Sequence, residues 1–204
     1  MDATQMPLSD PETVFIGVVV SAVVLASATW PLVQHFHVMA HEGMHAVVGS
    51  LAGHKVRGIV LKSSAEGETP CVPESGPGYY LAGFAGYLGS SAFGLGAARL
   101  IEFGHIIAVL WVSLLMLGLL LVALKPSFGY FTVPLAGFLI FLVLKHMSQT
   151  AEIRTAYVIT WFLLLSGVRA VVEHHVNAGD ARILARRTSI PRLVWFALLS
   201  LIHI

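Results

Sequence analysis

Length, composition and charge together narrow the class of protein. The chain has 204 residues, of which 56% are hydrophobic and 11% are charged, whereas soluble domains carry about 25% charged residues. The formal net charge is only +1. These values exclude an ordinary soluble domain, a disordered chain and a nucleic-acid-binding protein. Cys71 is the single cysteine, which excludes an intrachain disulfide.

Six apolar segments predict an all-α polytopic membrane protein with about six transmembrane helices, since one span needs about 20 residues. The predicted spans cover residues 13–29, 32–52, 79–100, 105–124, 130–144 and 155–172. Trp30-Pro31 closes the first span, because proline breaks or kinks a helix. The third span is rich in small residues, which allow close helix packing in a membrane.

Two polar stretches interrupt this helical pattern. Residues 53–78 begin with strand-like alternation and continue with turn-forming residues, so we expect a short β-hairpin or edge strand after the second helix. Residues 173–204 hold a polar segment followed by a short apolar helix. Together with a polar tail at 1–12, the whole of 1–204 is predicted to form a single membrane domain.

Lysine and arginine residues are unevenly distributed over the predicted connections. With six spans, the N-terminus shares a side with connections two, four and six, and most of these residues lie there: Lys55, Arg57, Lys62, Lys125, Arg182, Arg186, Arg187 and Arg192. The opposite side holds Arg99, Lys145 and Arg154. Because cytoplasmic loops are enriched in Lys and Arg, we expect the N-terminus and residues 53–78 in the cytoplasm. The tail lacks the basic region of a cleavable signal peptide, so the first apolar run is expected to be a retained span.

The second apolar segment contains the motif HExxH, formed by His41, Glu42 and His45. Residues four apart on a helix differ by about 40° in azimuth and about 6 Å along the axis. Two imidazoles can therefore bind one metal ion from a single helix face, and their nitrogens suit Zn²⁺. Glu42 lies beside the pair and can act as a general base. A glutamate at membrane depth is costly, which favours a functional site.

A catalytic zinc site needs a third protein ligand. Most acidic residues fall in the tail, in residues 53–78 or at connections on the opposite side, which leaves Glu173 and Asp180. His174 and His175 are alternative ligands. Asp180 is equally suited to be a helix N-cap, so spacing alone leaves both interpretations open.

Three other polar residues in the predicted spans are expected to have supporting roles. His37 is four residues before His41 and shares its face, so it either contacts the cavity or is a hydrogen-bonded interior histidine. His35 lies about 120° away on the helix and faces elsewhere. Arg169 is expected to snorkel or to pair with Glu173.

In these features the chain resembles the site-2 protease family of intramembrane zinc metalloproteases, and most closely the small bacterial branch without a PDZ domain. The HExxH lies in an early span, and a short β-region follows at residues 54–62. A small-residue helix with Ala82-Gly-Phe-Ala-Gly86 comes next, and a late Asp180 comes last. Tyr87 stands where the family usually has proline, and the family's Asn-Pro-Asp-Gly context is reduced to Asn177-Ala-Gly-Asp180.

The resemblance implies one Zn²⁺ per chain, with His41, His45 and Asp180 as ligands and Glu42 as the general base. It also implies that the strand near Ile59 holds an unwound substrate by edge pairing. Asn177 is predicted to orient the substrate or the oxyanion.

The predicted function is hydrolysis of a peptide bond in or next to a transmembrane segment of a membrane protein. The expected partners are that substrate and the lipid bilayer, with no nucleic acid, and the sequence carries no signal of oligomeric state. Two alternatives stay open. A zinc transporter needs more ligands on neighbouring helices, and a non-catalytic scaffold needs a closed four-ligand site with His37 or His174 as the fourth ligand.

Overall fold

A computed structural model describes the backbone of residues 4–177 and the side chains of residues 4–170. Within these residues the chain forms six helices: α1 (Asp10–Leu25), α2 (Trp30–Leu51), α3 (Pro77–Glu102), α4 (Ala108–Ala123), α5 (Gly129–His146) and α6 (Gln149–Asn177). Each helix falls on one predicted apolar segment. The mostly helical class and the interruption after the second helix are therefore confirmed.

The break between α1 and α2 is sharp. The chain bends by 101° between the two helices, and α2 restarts with a proline in its first turn, a position where the missing N–H costs nothing. The two helices reach the length and hydropathy of a membrane span only when they are taken together.

Few helices of the described chain reach the length and hydropathy of a complete membrane span. Gly129–His146 and Gln149–Ala170 do, and the bent pair of α1 and α2 adds a third if it is counted as one broken span. α4 is apolar but has only 16 residues. Six separate spans are therefore not confirmed.

The outer faces of the helices are apolar. Large side chains such as Phe131, Leu115 and Leu119 are 57–62% exposed. An exposed apolar surface of this extent is typical of a lipid-facing or interaction surface rather than of a soluble monomer. Together with the apolar composition, it supports a membrane protein.

The helices α2, α3 and α6 form the centre of the bundle. α3 packs against α2 on one side and α6 on the other, and small residues make both contacts close. Gly94 faces Leu164 of α6, and Gly89 faces the backbone carbonyl of Ala40 in α2. The small-residue stripe predicted as a packing surface is a packing surface on both sides.

A bent hairpin fills the connection between α2 and α3. Its strands are β1 (Lys55–Val56), β2 (Val60–Leu61), β3 (Gly67–Glu68) and β4 (Cys71–Val72), with β1 antiparallel to β4 and β2 antiparallel to β3. All four lie inside the predicted 53–78 insertion.

A parallel bridge ties this hairpin to the connection between α4 and α5. The N–H of Ile59 donates to the carbonyl of Ala123 at 2.9 Å, and the N–H of Lys125 donates to the carbonyl of Ile59 at 2.8 Å. The Ile59 side chain is only 1% exposed. A substrate strand can pair with Ile59 only if this bridge opens.

The N-terminal tail lies at the opposite end of α3 from the hairpin. The N–H of Gln5 donates to the carbonyl of Gly104 at 2.7 Å, and its side-chain Oε1 accepts from the N–H of Ile107 at 3.0 Å. Glu12 pairs with Arg154, near the start of α6, at 2.7 Å. The tail and the hairpin thus lie at opposite ends of α3, and the expectation that they share one side of the membrane is not confirmed. Counted as one broken span, α1 and α2 together lead from the tail end of the bundle to the hairpin end.

We expect the two ends to be separated by the membrane. Met6→Cys and Ser64→Cys, each in a Cys71→Ser background, place a thiol on an exposed residue of the tail or of the hairpin. A membrane-impermeant maleimide applied to sealed, oriented vesicles should label one of the two variants and label the other only after detergent is added. Labelling of both variants in sealed vesicles would contradict the arrangement.

The contact between α3 and α6 predicts a difference between two nearby glycines. In Gly94→Ala the new methyl group would lie 2.9 Å from the backbone nitrogen of Leu164, whereas in Gly96→Ala it meets nothing within 4 Å. Alanine favours a helix by about 0.5–1 kcal/mol over glycine. We therefore expect Gly96→Ala to keep or raise the thermal unfolding midpoint in detergent and Gly94→Ala to lower it. Equal midpoints would mean that α3 and α6 are not in close contact at Gly94.

Candidate metal centre

The HExxH residues lie in the interior of the bundle, in the middle of α2. The Nε2 atoms of His41 and His45 are 3.0 Å apart, and their rings meet edge to face at 4.6 Å between centroids. Glu42 is 4% exposed and His45 is 8% exposed. One nitrogen from each histidine and a carboxylate oxygen of Glu42 all lie within 4.8 Å of one another. The helical spacing thus brings the three side chains together as the sequence predicted.

His45 is oriented by α3. Its Nδ1 lies 2.7 Å from the carbonyl oxygen of Ala82, and because a carbonyl only accepts, Nδ1 is assigned as the protonated nitrogen. The neutral ring then directs the lone pair of Nε2 toward His41. A carbonyl behind the ligating histidine is common in metal sites, where it sets the tautomer and the orientation of the ring.

The close approach of α3 depends on a glycine. A Cβ on Gly86 would overlap the His45 ring. On the other side of the pair, the ring of Tyr87 lies edge to face against His41, 5.4 Å between centroids. The Ala82–Gly86 segment therefore contributes a carbonyl and an open space, and Tyr87 packs directly against the site.

His37 and His35 are found in the expected surroundings, whereas Arg169 contacts Trp30 and the side chain of Glu173, its expected partner, lies outside the described residues. His37 is buried, and its Nδ1 lies 2.8 Å from the hydroxyl of the fully buried Ser90, so it is a hydrogen-bonded interior histidine. His35 faces elsewhere and contacts Phe128. The guanidinium of Arg169 lies 5.8 Å from the centre of the Trp30 ring, in a cation–π arrangement.

Glu42 is covered by the hairpin. The hydroxyl of Thr69 donates to Oε2 of Glu42 at 2.6 Å, and a Cβ on Gly67 would overlap the Glu42 side chain. Burial raises the pKa of the nearby Cys71 thiol, with a further contribution from the negative charge of Glu42. Cys71 is therefore a protonated, buried thiol rather than a reactive one.

Sequence reasoning missed Thr69, Ser90 and the carbonyl of Ala82. Thr69 and Ser90 are the hydrogen-bond partners of Glu42 and His37, and they belong to segments distant in sequence. One sequence pattern could have indicated Thr69. Alternate residues of an extended segment share a face, so Gly67 and Thr69 would be expected on the face opposite the charged Glu68.

Two of the predicted site residues, Asn177 and Asp180, lie at the end of the described chain or beyond it. Asn177 is the last residue of α6. Asp180 lies outside the described residues, as do the other residues of 178–204. The described part of the site therefore consists of two histidines and one glutamate.

The donor set fits a divalent metal ion such as zinc. Zn²⁺ binds imidazole nitrogens at about 2.0–2.1 Å, and the 3.0 Å between the two Nε2 atoms is less than the sum of two such bonds. The ring orientation required for binding is already set by Ala82. Two histidines and an adjacent carboxylate in an apolar bundle are the elements of a metal-dependent hydrolase.

Comparison with known proteins agrees with this geometry. The family model described as Peptidase M50B-like matches residues 14–204, so the chain belongs to this metalloprotease family. No curated protein and no solved structure matches the chain. The resemblance to site-2 proteases drawn from the motifs is therefore confirmed at the level of the family.

The packing of Gly86 on His45 gives a test of the metal site. Gly86→Ala should displace the His45 ring and lower the zinc content of the purified chain severalfold or more. Gly43→Ala is the matched control, because it lies inside the HExxH motif but its methyl group would meet nothing within 4 Å. Elemental analysis by mass spectrometry measures both. Equal zinc in the two variants would show that the close contact between α3 and His45 does not matter for binding.

Proposed function

We propose that the chain is an intramembrane zinc metalloprotease that hydrolyses a peptide bond in or next to a transmembrane segment of a membrane protein. The observation that carries this proposal is the buried pair of Nε2 atoms, 3.0 Å apart, beside the Glu42 carboxylate. Membership of the M50B-like family supports the same activity.

His41, His45 and Asp180 are the proposed ligands. The direction of α6 supports the third, since Leu164 is level with Gly94 and Tyr157 packs in one cluster with Ala97. Continuing this antiparallel register brings the last turn of α6 toward the level of Ala82, the residue that orients His45. Asp180 follows the end of α6 by three residues.

The chemistry divides between the ion and Glu42. When bound, zinc supplies a Lewis acid and lowers the pKa of water to about 7. Glu42 accepts the proton of the attacking water and passes it to the leaving amine. Burial of Glu42 keeps bulk water away from this transfer.

Asn177 and Ile59 are proposed as substrate contacts. Asn177 orients the substrate or the oxyanion from the end of α6. Pairing at Ile59 requires the bridge to residues 123–125 to open, so the connection between α4 and α5 moves when a substrate strand binds there.

The hairpin end of the bundle is proposed to face the cytoplasm. Lys55, Arg57, Lys62 and Lys125 belong to the hairpin and the connection bridged to it. Arg99, Lys145 and Arg154 belong to the opposite end. The four basic residues at the hairpin end against three at the other support a cytoplasmic hairpin under the positive-inside rule, with the N-terminal tail on the other side of the membrane.

Metal content and proteolysis of three variants test the proposal. We expect about one zinc per chain, a large loss of zinc in Asp180→Ala, and full zinc in Asp10→Ala, the control at an exposed aspartate. Glu42→Gln should keep its zinc and lose roughly 10²–10⁴-fold in cleavage of single-span substrates. Full zinc in Asp180→Ala would remove this residue as a ligand. Zinc-loaded wild type that cleaves no membrane substrate would favour a scaffold.

A further inference from the structure

The hairpin presents one face of a strand to Glu42. Gly67 begins β3 and Thr69 directly follows this strand, and both contact the Glu42 side chain. Glu68, between them, points the other way and pairs with Lys62 at the exposed surface. The strand is thus divided into a face toward the site and a face toward solvent.

The Thr69 hydroxyl contacts one particular oxygen of the Glu42 carboxylate. Its hydroxyl oxygen is 2.6 Å from Oε2 of Glu42 and 3.4 Å from the backbone carbonyl oxygen of the same residue. A hydroxyl has one hydrogen to donate, and a separation of 2.6 Å is typical of an O–H donor bound to a carboxylate. Donation to Oε2 holds one carboxylate oxygen in place.

Gly67 limits the other positions that the carboxylate can take. A Cβ at residue 67 would overlap Cγ, Cδ and Oε1 of Glu42. The Glu42 side chain therefore lies directly on the backbone of β3, with the Thr69 hydroxyl at one oxygen. Packing and a hydrogen bond together restrict the carboxylate to one orientation.

The hairpin segment that carries these residues is held by backbone pairing that does not depend on the Ile59 bridge. β2 pairs with β3, β1 pairs with β4, and the N–H of Arg57 donates to the carbonyl of Pro70 at 2.9 Å. A positioning group is effective only when its own support is rigid, and the hairpin meets this condition.

We propose that Thr69 is a positioning residue for the general base: it holds the Glu42 carboxylate in the orientation that accepts the proton of water, and Gly67 gives it the room to do so. This role rests on the proposed protease function. It assigns to the hairpin a part in the chemical step, in addition to any contact with substrate.

Kinetics of three hairpin variants test the role. Thr69→Val keeps the shape and removes the donor, Thr69→Ser keeps the donor, and Glu68→Gln is the control on the outward face of the same strand. With the labelled single-span peptide that the wild type cleaves fastest, Thr69→Val should lower kcat roughly 10- to 100-fold, the range for a lost hydrogen bond to a charged group. KM and zinc content should stay unchanged. Thr69→Ser should recover most of kcat, and Glu68→Gln should equal the wild type.

A double-mutant cycle on thermal unfolding separates this proposal from the protease function. Thr69→Val should lower the unfolding midpoint in detergent when Glu42 is present and should have little effect in a Glu42→Ala background, because the hydroxyl then has no carboxylate to bind. This measurement needs no substrate.

The outcomes decide the two proposals separately. Equal effects of Thr69→Val in both backgrounds would overturn the contact, and wild-type kcat in Thr69→Val would overturn the positioning role. If the wild type cleaves no peptide, the protease function and the role in catalysis fail together, while a positive cycle still assigns Thr69 as the residue that holds Glu42.

Discussion

The close contact between α2 and α3 is the constraint on which the site depends. His45 lies on the backbone of α3, its Nδ1 bound to the carbonyl of Ala82 and its ring over Gly86. One side chain larger than hydrogen at residue 86 would occupy the place of the imidazole. Small residues in a membrane helix usually serve packing between helices. Here the same property also brings a backbone acceptor within hydrogen-bonding distance of His45, a proposed metal ligand, so the packing of the bundle also sets the geometry of the site.

The hairpin supports the site from the other side. α3 orients an imidazole, and the hairpin orients the carboxylate that lies next to it in sequence. A buried carboxylate without a partner would be costly, and the Thr69 hydroxyl offsets part of that cost. The hairpin is in turn attached to the connection between α4 and α5 through Ile59. The proposed ligand His45 and the proposed base Glu42 are therefore held between two elements that both follow α2 in the chain.

The course of the chain through the bundle follows from the bend between α1 and α2. A count of apolar segments treats each as one passage, because hydropathy measures length and polarity but not direction. A bend of 101° separates two such segments, and neither reaches the length and hydropathy of a span without the other. The tail then meets the connection after α3 instead of the hairpin, and on the proposed orientation the two ends lie on opposite sides of the membrane. A single turn of four residues thus changes the predicted side of the N-terminus.

Local sequence patterns were sufficient to predict the features that depend on a single helix or a single connection. The six helices, the inserted hairpin and the pairing of His41 with His45 follow from periodicity, since a helix by itself places residues four apart on one face. The contacts of Thr69 with Glu42 and of His45 with Ala82 join residues 27 and 37 positions apart. Every residue has a backbone carbonyl, so the sequence does not indicate which carbonyl will accept a hydrogen bond from His45. The sequence likewise does not indicate which of several threonines will contact Glu42. These contacts exist only because packing brings α3 and the hairpin onto α2. The sequence by itself therefore indicated the candidate site residues of α2, whereas the groups that orient His45 and Glu42 were decided by the tertiary structure.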